Sequence, residues 1–224
     1  MTGLSYDDIF DRLSRYRNNG GIVVRYVTNS FLETEECTDA VIFDTADAIY
    51  QAARHLLELG HRKLGFFNAG NDKWGRAWMR GFGSALAEYS LDVRDDWRFC
   101  GGDSRQGLEE GGASLAEQWL TLPPNDRPTG LCIVNDHAAV TFVAGVERAG
   151  LQVPRDVSVV GFDGLPLARY NRLPITTMAK PIKEIASNTV DLLNGRITGR
   201  FDDALQRRII KGKLQVREST GPPP

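Results

Sequence analysis

Short apolar segments alternate with longer amphipathic segments along most of the chain. The short ones are IVVRYV (22–27), AVIF (40–43), LGFF (64–67), LCIV (131–134) and VSVVGF (157–162). The longer ones carry apolar residues at every third or fourth position, which predicts helices over 45–59, 76–89, 108–120 and 136–149. Strands with consecutive apolar residues, separated by helices, are typical of a parallel sheet that is covered on both faces. The pattern therefore predicts a doubly wound α/β fold.

The remaining segments extend this alternation to both ends of the chain. We predict helices over 7–18 and 183–197, and strands at WRFC (97–100) and ITTM (175–178). A charged, strand-like region covers 205–217, and the terminal GPPP (221–224) is expected to be a disordered tail.

Polar residues follow five of the predicted strands. They lie at Asp44–Thr45, Asn68–Trp74, Gly101–Ser104, Asn135–Asp136 and Asp163. In open α/β sheets, ligands bind just beyond the carboxyl ends of the strands. Asp and Asn also favour turns and helix N-caps, so any one of these residues alone has a simple structural explanation. Five polar strand ends on one edge favour a binding site.

Composition and charge narrow the class of protein. The chain has 224 residues, a formal net charge of −2 and a sequence pI near 6.0. This balance argues against a general attraction to nucleic acid or to an anionic membrane. No apolar run is long enough to span a membrane, and polar residues rather than a signal peptide follow Met1. Three widely spaced cysteines suit a reduced, cytoplasmic protein: Cys37, Cys100 and Cys132.

Catalytic and metal-binding patterns are weak in comparison. His55, His61 and His137 are not spaced from Cys, Asp or Glu as a metal site requires. The sequence has no G-x-S-x-G elbow, P-loop or C-x-x-C motif. The basic cluster RRIIKGK (207–213) has an apolar centre that is typical of a solvated strand. We therefore expect neither an enzyme nor a cofactor.

Four stretches together resemble the effector-binding core of the lactose- and purine-repressor (LacI/GalR) family of bacterial transcription regulators. They are HLLELGHRKLGFFNAG (55–70), RGFGSAL (80–86), DRPTGLCIVNDHAA (126–139) and GLQVPRDVSVVGFDGLPLARYNRLPITTMAKP (150–181). The combination of VPRDVSVVGFD with ITT and LGHRKLGF is less typical of the related secreted sugar-binding proteins. The resemblance runs from about residue 7 to residue 220.

The resemblance implies two similar α/β lobes, of the periplasmic-binding-protein type I, joined by three crossovers with a small effector in the cleft. One lobe is expected to contain residues 1–69 and about 179–203, and the other residues 70–178 and about 204–220. Family members also carry a helix-turn-helix headpiece and further strand–helix units at the start of the first lobe, which this chain lacks, so that lobe is expected to be incomplete. The implied partners are a sugar or nucleobase-like effector, a second copy in a homodimer, and operator DNA only through the headpiece.

Carrying the family's effector site over to this sequence implies five positions. Asn135 and Asp163 would form hydrogen bonds with the ligand. Asp136 is the second residue of the family's Asn-Asp pair, which begins with Asn135. Asp47, at the start of a helix, matches an acidic position of the cleft. Ser104 matches a position that often holds a stacking aromatic ring.

Two positions depart from the family pattern. Trp78 stands where an Arg is common, three residues before the Gly of GF, and Arg76 lies beside it. Lys180 stands where a Gln is common, before the Pro that follows the Thr-Thr pair. Both departures leave the identity of the effector open. For Trp78, packing in the core against Phe82 is an equal alternative to ligand binding. With Trp74 from the loop that follows LGFF, these residues complete the predicted ligand-binding set.

Two other classes of function remain alternatives. A solute-binding receptor of a transport system would share the fold, but it would carry a signal peptide. An α/β enzyme acting on a sugar or nucleotide would need a nucleophile–base pair or a metal set. The preferred interpretation is the effector-binding core of a repressor.

Overall fold

The computed structural model describes residues 6–28, 38–68, 73–100, 108–202 and 204–224. Within them, strands and helices alternate as the sequence predicts. The helices are α1 (Tyr6–Asn18), α2 (Thr45–Glu58), α3 (Lys73–Glu88), α4 (Leu108–Thr121), α5 (Asp136–Arg148), α6 (Pro166–Tyr170) and α7 (Ile182–Ile197). The strands are β1 (Val24–Val27), β2 (Asp39–Phe43), β3 (Leu64–Asn68), β4 (Arg98–Cys100), β5 (Gly130–Ile133), β6 (Ser158–Asp163), β7 (Thr176–Ala179), β8 (Arg207–Ile210) and β9 (Lys213–Gln215).

The chain forms two compact units. The first contains residues 1–44 and 181–211, and its parallel sheet has the strand order β1-β2-β8. Its buried Asp39 accepts hydrogen bonds from the Arg196 guanidinium at 2.6 and 2.7 Å and from the Gln206 backbone at 2.8 Å. These contacts tie β2 to α7 and to the segment before β8.

The second unit contains residues 45–180 and 212–224, and its sheet has the order β4-β3-β5-β6-β7-β9. Neighbouring pairs are parallel except β7 and β9, which are antiparallel. Successive strand residues point to opposite faces: Phe66 meets Phe82 of α3 at 5.3 Å between ring centroids, whereas Phe67 joins the core cluster that includes Trp119 of α4 and Phe142 of α5. Helices therefore cover both faces, and the predicted α/β fold class is confirmed.

The border between the units differs from the implied one. The resemblance places residues 45–69 with the first lobe, but β3 pairs with β4 on one side and with β5 on the other, so this part belongs to the six-stranded unit. The predicted strand region 205–217 is two strands, β8 in the first unit and β9 in the second. Local hydropathy cannot reveal at which residue a chain crosses from one sheet to another.

The expectation of a disordered tail at 221–224 does not hold for Gly221. The Gly221 amide donates to the Ser158 hydroxyl at 3.0 Å, and its carbonyl accepts from His61 Nε2 at 3.0 Å. These contacts hold the terminus beside the amino ends of the central strands. A Gly-Pro-rich composition does not show such partners, because they lie 63 and 160 residues away along the chain.

Candidate functional site

Three adjacent strands of the six-stranded sheet end in polar side chains that contact one another. Asn135 follows β5, Asp163 ends β6 and Lys180 follows β7. Asn135 Nδ2 donates to Asp163 Oδ2 at 3.0 Å, and the Lys180 ammonium pairs with Asp163 Oδ1. The Asp163 and Lys180 side chains are each 20% exposed, so the group stays accessible to a small molecule. We call Asn135, Asp163 and Lys180 the Asp163 cluster.

The Asn135 side chain has two roles. It is the N-cap of α5, because its Oδ1 accepts from the His137 backbone N–H at 2.8 Å. This bond fixes the orientation of the amide and turns Nδ2 towards Asp163. The structural and the functional interpretations of Asn135 are therefore compatible.

Asp136 lies below the surface of the cluster. It is fully buried, its Oδ1 accepts from the Thr177 hydroxyl at 2.6 Å, and its Oδ2 accepts from the Leu165 backbone N–H at 2.7 Å. The carboxylate occupies space that a side chain at Gly161 would fill. Burial raises the pKa of Asp136 to about 6, against the lowering effect of the Thr177 hydrogen bond. Asp136 thus holds α5, β7 and the loop after β6 together, and we correct its predicted role from ligand contact to positioning.

The backbone at the end of β6 turns sharply. Asp163 has φ 104° and Gly164 has φ 74°, both in the region that disfavours most side chains. A Cβ at Gly164 would lie 2.5 Å from the Ala179 Cβ. Asp163 is still in register with Ala179, and its carbonyl accepts from the Lys180 N–H at 3.2 Å. The Asp-Gly sequence therefore lets the chain leave the strand while Asp163 stays beside Lys180.

An aromatic wall adjoins the cluster. The Phe162 ring lies 5.4 Å from the Lys180 ammonium and 6.4 Å from the Trp78 ring of α3, measured to the centroids. Phe82 packs against Phe66. Trp78 packs against Phe162, the residue before Asp163, and this contact places Trp78 near the strand ends. The structure thus brings together Trp78, Asn135, Asp163 and Lys180 of the predicted set.

The remaining residues of the predicted set are Asp47, Trp74, Arg76 and Ser104. Asp47 lies in the first turn of α2 and accepts a hydrogen bond from Gln51. Trp74 and Arg76 belong to α3, where their backbone alone is described, and Ser104 lies outside the described residues. These four stay predictions, as do the ligand-binding roles of the four residues that the structure brings together.

Sequence reasoning missed Phe162 and Thr177. Phe162 precedes Asp163 in the strand, and the alternation of faces could have placed it on the side of α3. Thr177 could not have been found, because its partner Asp136 lies 41 residues away.

The described ranges given above also bear on metal binding and on membrane insertion. They contain no group of three or more His, Cys, Asp or Glu side chains placed to hold a metal ion. No helix among them combines the length and the hydrophobicity that a membrane span needs.

A parallel sheet that gathers a carboxylate, an amide and an ammonium group beside an aromatic wall at its carboxyl edge defines a ligand-binding α/β domain. Residues 53–220 match the family of periplasmic binding protein-like domains, and the chain belongs to this family.

Proteins that are similar to this chain in sequence or structure include transcription regulators. The HTH-type transcriptional repressor PurR of Photobacterium profundum is 28% identical over 95% of this chain and 60% of its own length. The PurR repressor of Yersinia pestis bv. Antiqua is 31% identical over 97% of this chain and 61% of its own. The chain thus spans about three-fifths of the length of these relatives. A LacI family transcriptional regulator from Enterococcus faecium, solved with bound ribose, has a TM-score of 0.79 and 26% identity, covering 98% of this chain and 76% of that one.

Proposed function

We propose that this chain is the effector-binding part of a DNA-binding transcriptional repressor and that its effector is a sugar or related metabolite held by the Asp163 cluster. The observation that carries the proposal is the joint contact of Asp163 with Asn135 and Lys180 at the carboxyl edge of the sheet. A hydroxyl group both donates and accepts hydrogen bonds. It therefore suits a carboxylate that lies beside an ammonium group.

The relatives support the regulatory half of the proposal. Those named above are HTH-type repressors, and the regulator from Enterococcus faecium holds ribose. In the longer protein, we infer that a homodimer binds operator DNA through helix-turn-helix segments outside this chain. The effector would then act by favouring one of two conformations that differ in operator affinity.

Calorimetric titration of the 224-residue chain tests the binding half. D-ribose and a panel of neutral pentoses, hexoses and disaccharides are titrated into the wild type and into Asp163→Asn. We expect at least one sugar to bind the wild type, and the variant to bind it about ten- to a hundredfold more weakly, because the charge-assisted contact is lost. Binding of no sugar, or equal binding by both proteins, contradicts the proposal.

Operator binding tests the regulatory half. The protein that contains this chain and a helix-turn-helix segment should shift operator DNA in a gel, and the effective sugar should change its apparent affinity. The 224 residues alone should give no sequence-specific shift, because their net charge of −2 offers no excess of cations to release counterions. An operator affinity that no sugar changes would argue against ligand control.

A further inference from the structure

The indole N–H of Trp78 differs from those of the two other tryptophans whose side chains the structure describes. Trp97 Nε1 donates to the Asp126 carbonyl at 2.9 Å, and Trp119 Nε1 donates to the Pro128 carbonyl at 3.0 Å. Trp78 Nε1 is buried and has no partner among the described residues. A buried donor without a partner has lost its hydrogen bonds to water without compensation, so such groups call for an explanation.

The location of Trp78 points to a ligand. Unlike the buried Trp97 and Trp119, the Trp78 side chain as a whole is partly exposed, and its ring packs against Phe162 at the end of β6. Phe162 also contacts the Lys180 ammonium, the ion-pair partner of Asp163. The Trp78 ring, which carries the unpartnered donor, therefore lies on the Phe162 side of the Asp163 cluster.

We infer that Trp78 is a specificity-determining residue whose indole N–H donates a hydrogen bond to an oxygen of an uncharged, polyhydroxylated ring ligand. The inference rests on the proposed function. One hydroxyl of the ligand lies at Asp163 and Lys180, and the acceptor oxygen for Trp78 lies on the side of Phe162. The exposed part of the Trp78 ring, which is backed by the buried Phe162, contacts the apolar face of the ligand ring.

Charge argues for an uncharged ligand. The one described ammonium group of the cluster, Lys180, is already paired with Asp163, and the buried carboxyl of Asp136 lies next to them along the sheet edge. Among the described residues, a phosphate or carboxylate there would meet the Asp163 carboxylate, with the buried Asp136 behind it, and one cation that is already shared. A neutral oxygen accepts from Trp78 at no such cost.

Nuclear magnetic resonance tests the hydrogen bond directly. The indole ¹H–¹⁵N signal of Trp78 is assigned as the one missing from Trp78→Phe, and D-ribose and the neutral sugar panel are then added to the wild type. The first sugar that binds should move the Trp78 indole proton downfield. Signals of Trp97 and Trp119 should stay in place, because these donors already have carbonyl partners. A bound sugar that leaves the Trp78 signal unmoved overturns the inference.

Calorimetry measures what the bond contributes. Trp78→Phe keeps an aromatic ring and removes the donor, and we expect it to weaken sugar binding about five- to thirtyfold. Trp97→Phe is the matched control, since it also removes an indole N–H, and its affinity should stay within about twofold of the wild type.

The outcomes separate the two proposals. If no neutral sugar binds the wild type, the proposed function fails and the inference fails with it. If a sugar binds the wild type and Trp78→Phe equally well, the proposed function stands and the role of Trp78 is refuted. Tighter binding of a sugar phosphate than of its parent sugar also overturns the inference, because the site would then favour an anion.

Discussion

Lys180 and Asp163 form an ion pair although they end two different strands, and the pair is the charged centre of the candidate site. Each side chain keeps 20% of its surface exposed. With both side chains mostly buried, the pair lies between exposed ion pairs, which typically contribute about 0–1 kcal/mol, and buried ones, whose desolvation cost offsets much of their attraction. A paired charge at the carboxyl edge of the sheet is therefore better explained by the proposed binding than by stability.

Replacement of Lys180 separates these two roles. Lys180→Met should lower the free energy of unfolding by about 1–2 kcal/mol, because it leaves the Asp163 carboxylate without its cation, and should weaken sugar binding about tenfold. Urea unfolding and calorimetric titration measure the two effects. Lys183→Met, which removes the same charge at an exposed position of α7, should change neither. A large loss of stability with unchanged affinity in Lys180→Met would make the pair structural.

The buried carboxyl of Asp136 gives a second prediction. The pKa of Asp136 in the folded chain is about 6, above the 3.8 of an ordinary Asp carboxyl, so the folded state binds a proton more tightly than the unfolded state. Stability therefore decreases as the pH rises from about 4 to 6, and the full shift corresponds to roughly 3 kcal/mol. Asp136→Asn lacks this group, and urea unfolding of both proteins across the range should show the difference.

Thr177→Val serves as the companion variant. The Thr177 hydroxyl donates to the ionised form of Asp136 and lowers its pKa, so its loss should move the pH-dependent window upwards. If the wild type and Asp136→Asn have parallel stability profiles between pH 4 and 7, Asp136 is ionised throughout and the prediction is wrong.

The sequence predicted the parts of this structure that local patterns encode. Consecutive apolar residues identified the parallel strands, and the polar residues after them located Asn135 and Asp163 at the carboxyl edge of the sheet. Contacts between distant residues were not predictable. Asp136 follows Asn135 directly and has the same helix-start pattern, yet its partners Thr177 and Leu165 bury it. Such partners, and the residue where a chain changes sheets, follow from tertiary packing.

His61 gives a prediction for acidic solution. It is fully buried, its Nε2 donates to the Gly221 carbonyl at 3.0 Å, and its Nδ1 accepts from the Thr129 hydroxyl at 2.9 Å. Burial lowers the pKa of His61 below the ordinary 6.5. Below pH 6.5 the unfolded state therefore binds more protons than the folded state. The stability that neutral His61 contributes is complete above pH 6.5 and is lost as the pH falls towards the pKa of His61 in the folded chain.

His61→Gln should remove this dependence. At pH 7.5 the variant should be about 1–3 kcal/mol less stable, because a buried hydrogen bond is lost. Between pH 6.5 and 5 it should lose less stability than the wild type. Hydrogen exchange at the Gly221 amide should become faster in the variant, because the hydrogen bond from His61 to the Gly221 carbonyl keeps the C-terminal segment in place. Equal acid sensitivity of the two proteins would assign the effect to other groups.

Gly164 is the residue that lets β6 end in Asp163, and its replacement should damage both folding and binding. At φ 74° any side chain is strained, and a Cβ would also lie 2.5 Å from the Cβ and 2.8 Å from the Cα of Ala179. Gly164→Ala should therefore lose about 2–4 kcal/mol of stability, since backbone strain and a collision with the neighbouring strand add up.

Gly150→Ala is the matched control for this prediction. Gly150 has φ 83° in the same unit, but nothing lies within 4 Å of the position that its Cβ would occupy. Its replacement should cost only the strain, about 1–2 kcal/mol, and should leave sugar affinity unchanged. Gly164→Ala should weaken sugar binding as well, because relief of the collision moves the end of β7 and with it Lys180 away from Asp163. Thermal melts measure the stability of the two variants, and calorimetry measures their sugar affinity. Equal losses of stability with unchanged affinity would show that close packing against Ala179 has no part in shaping the site.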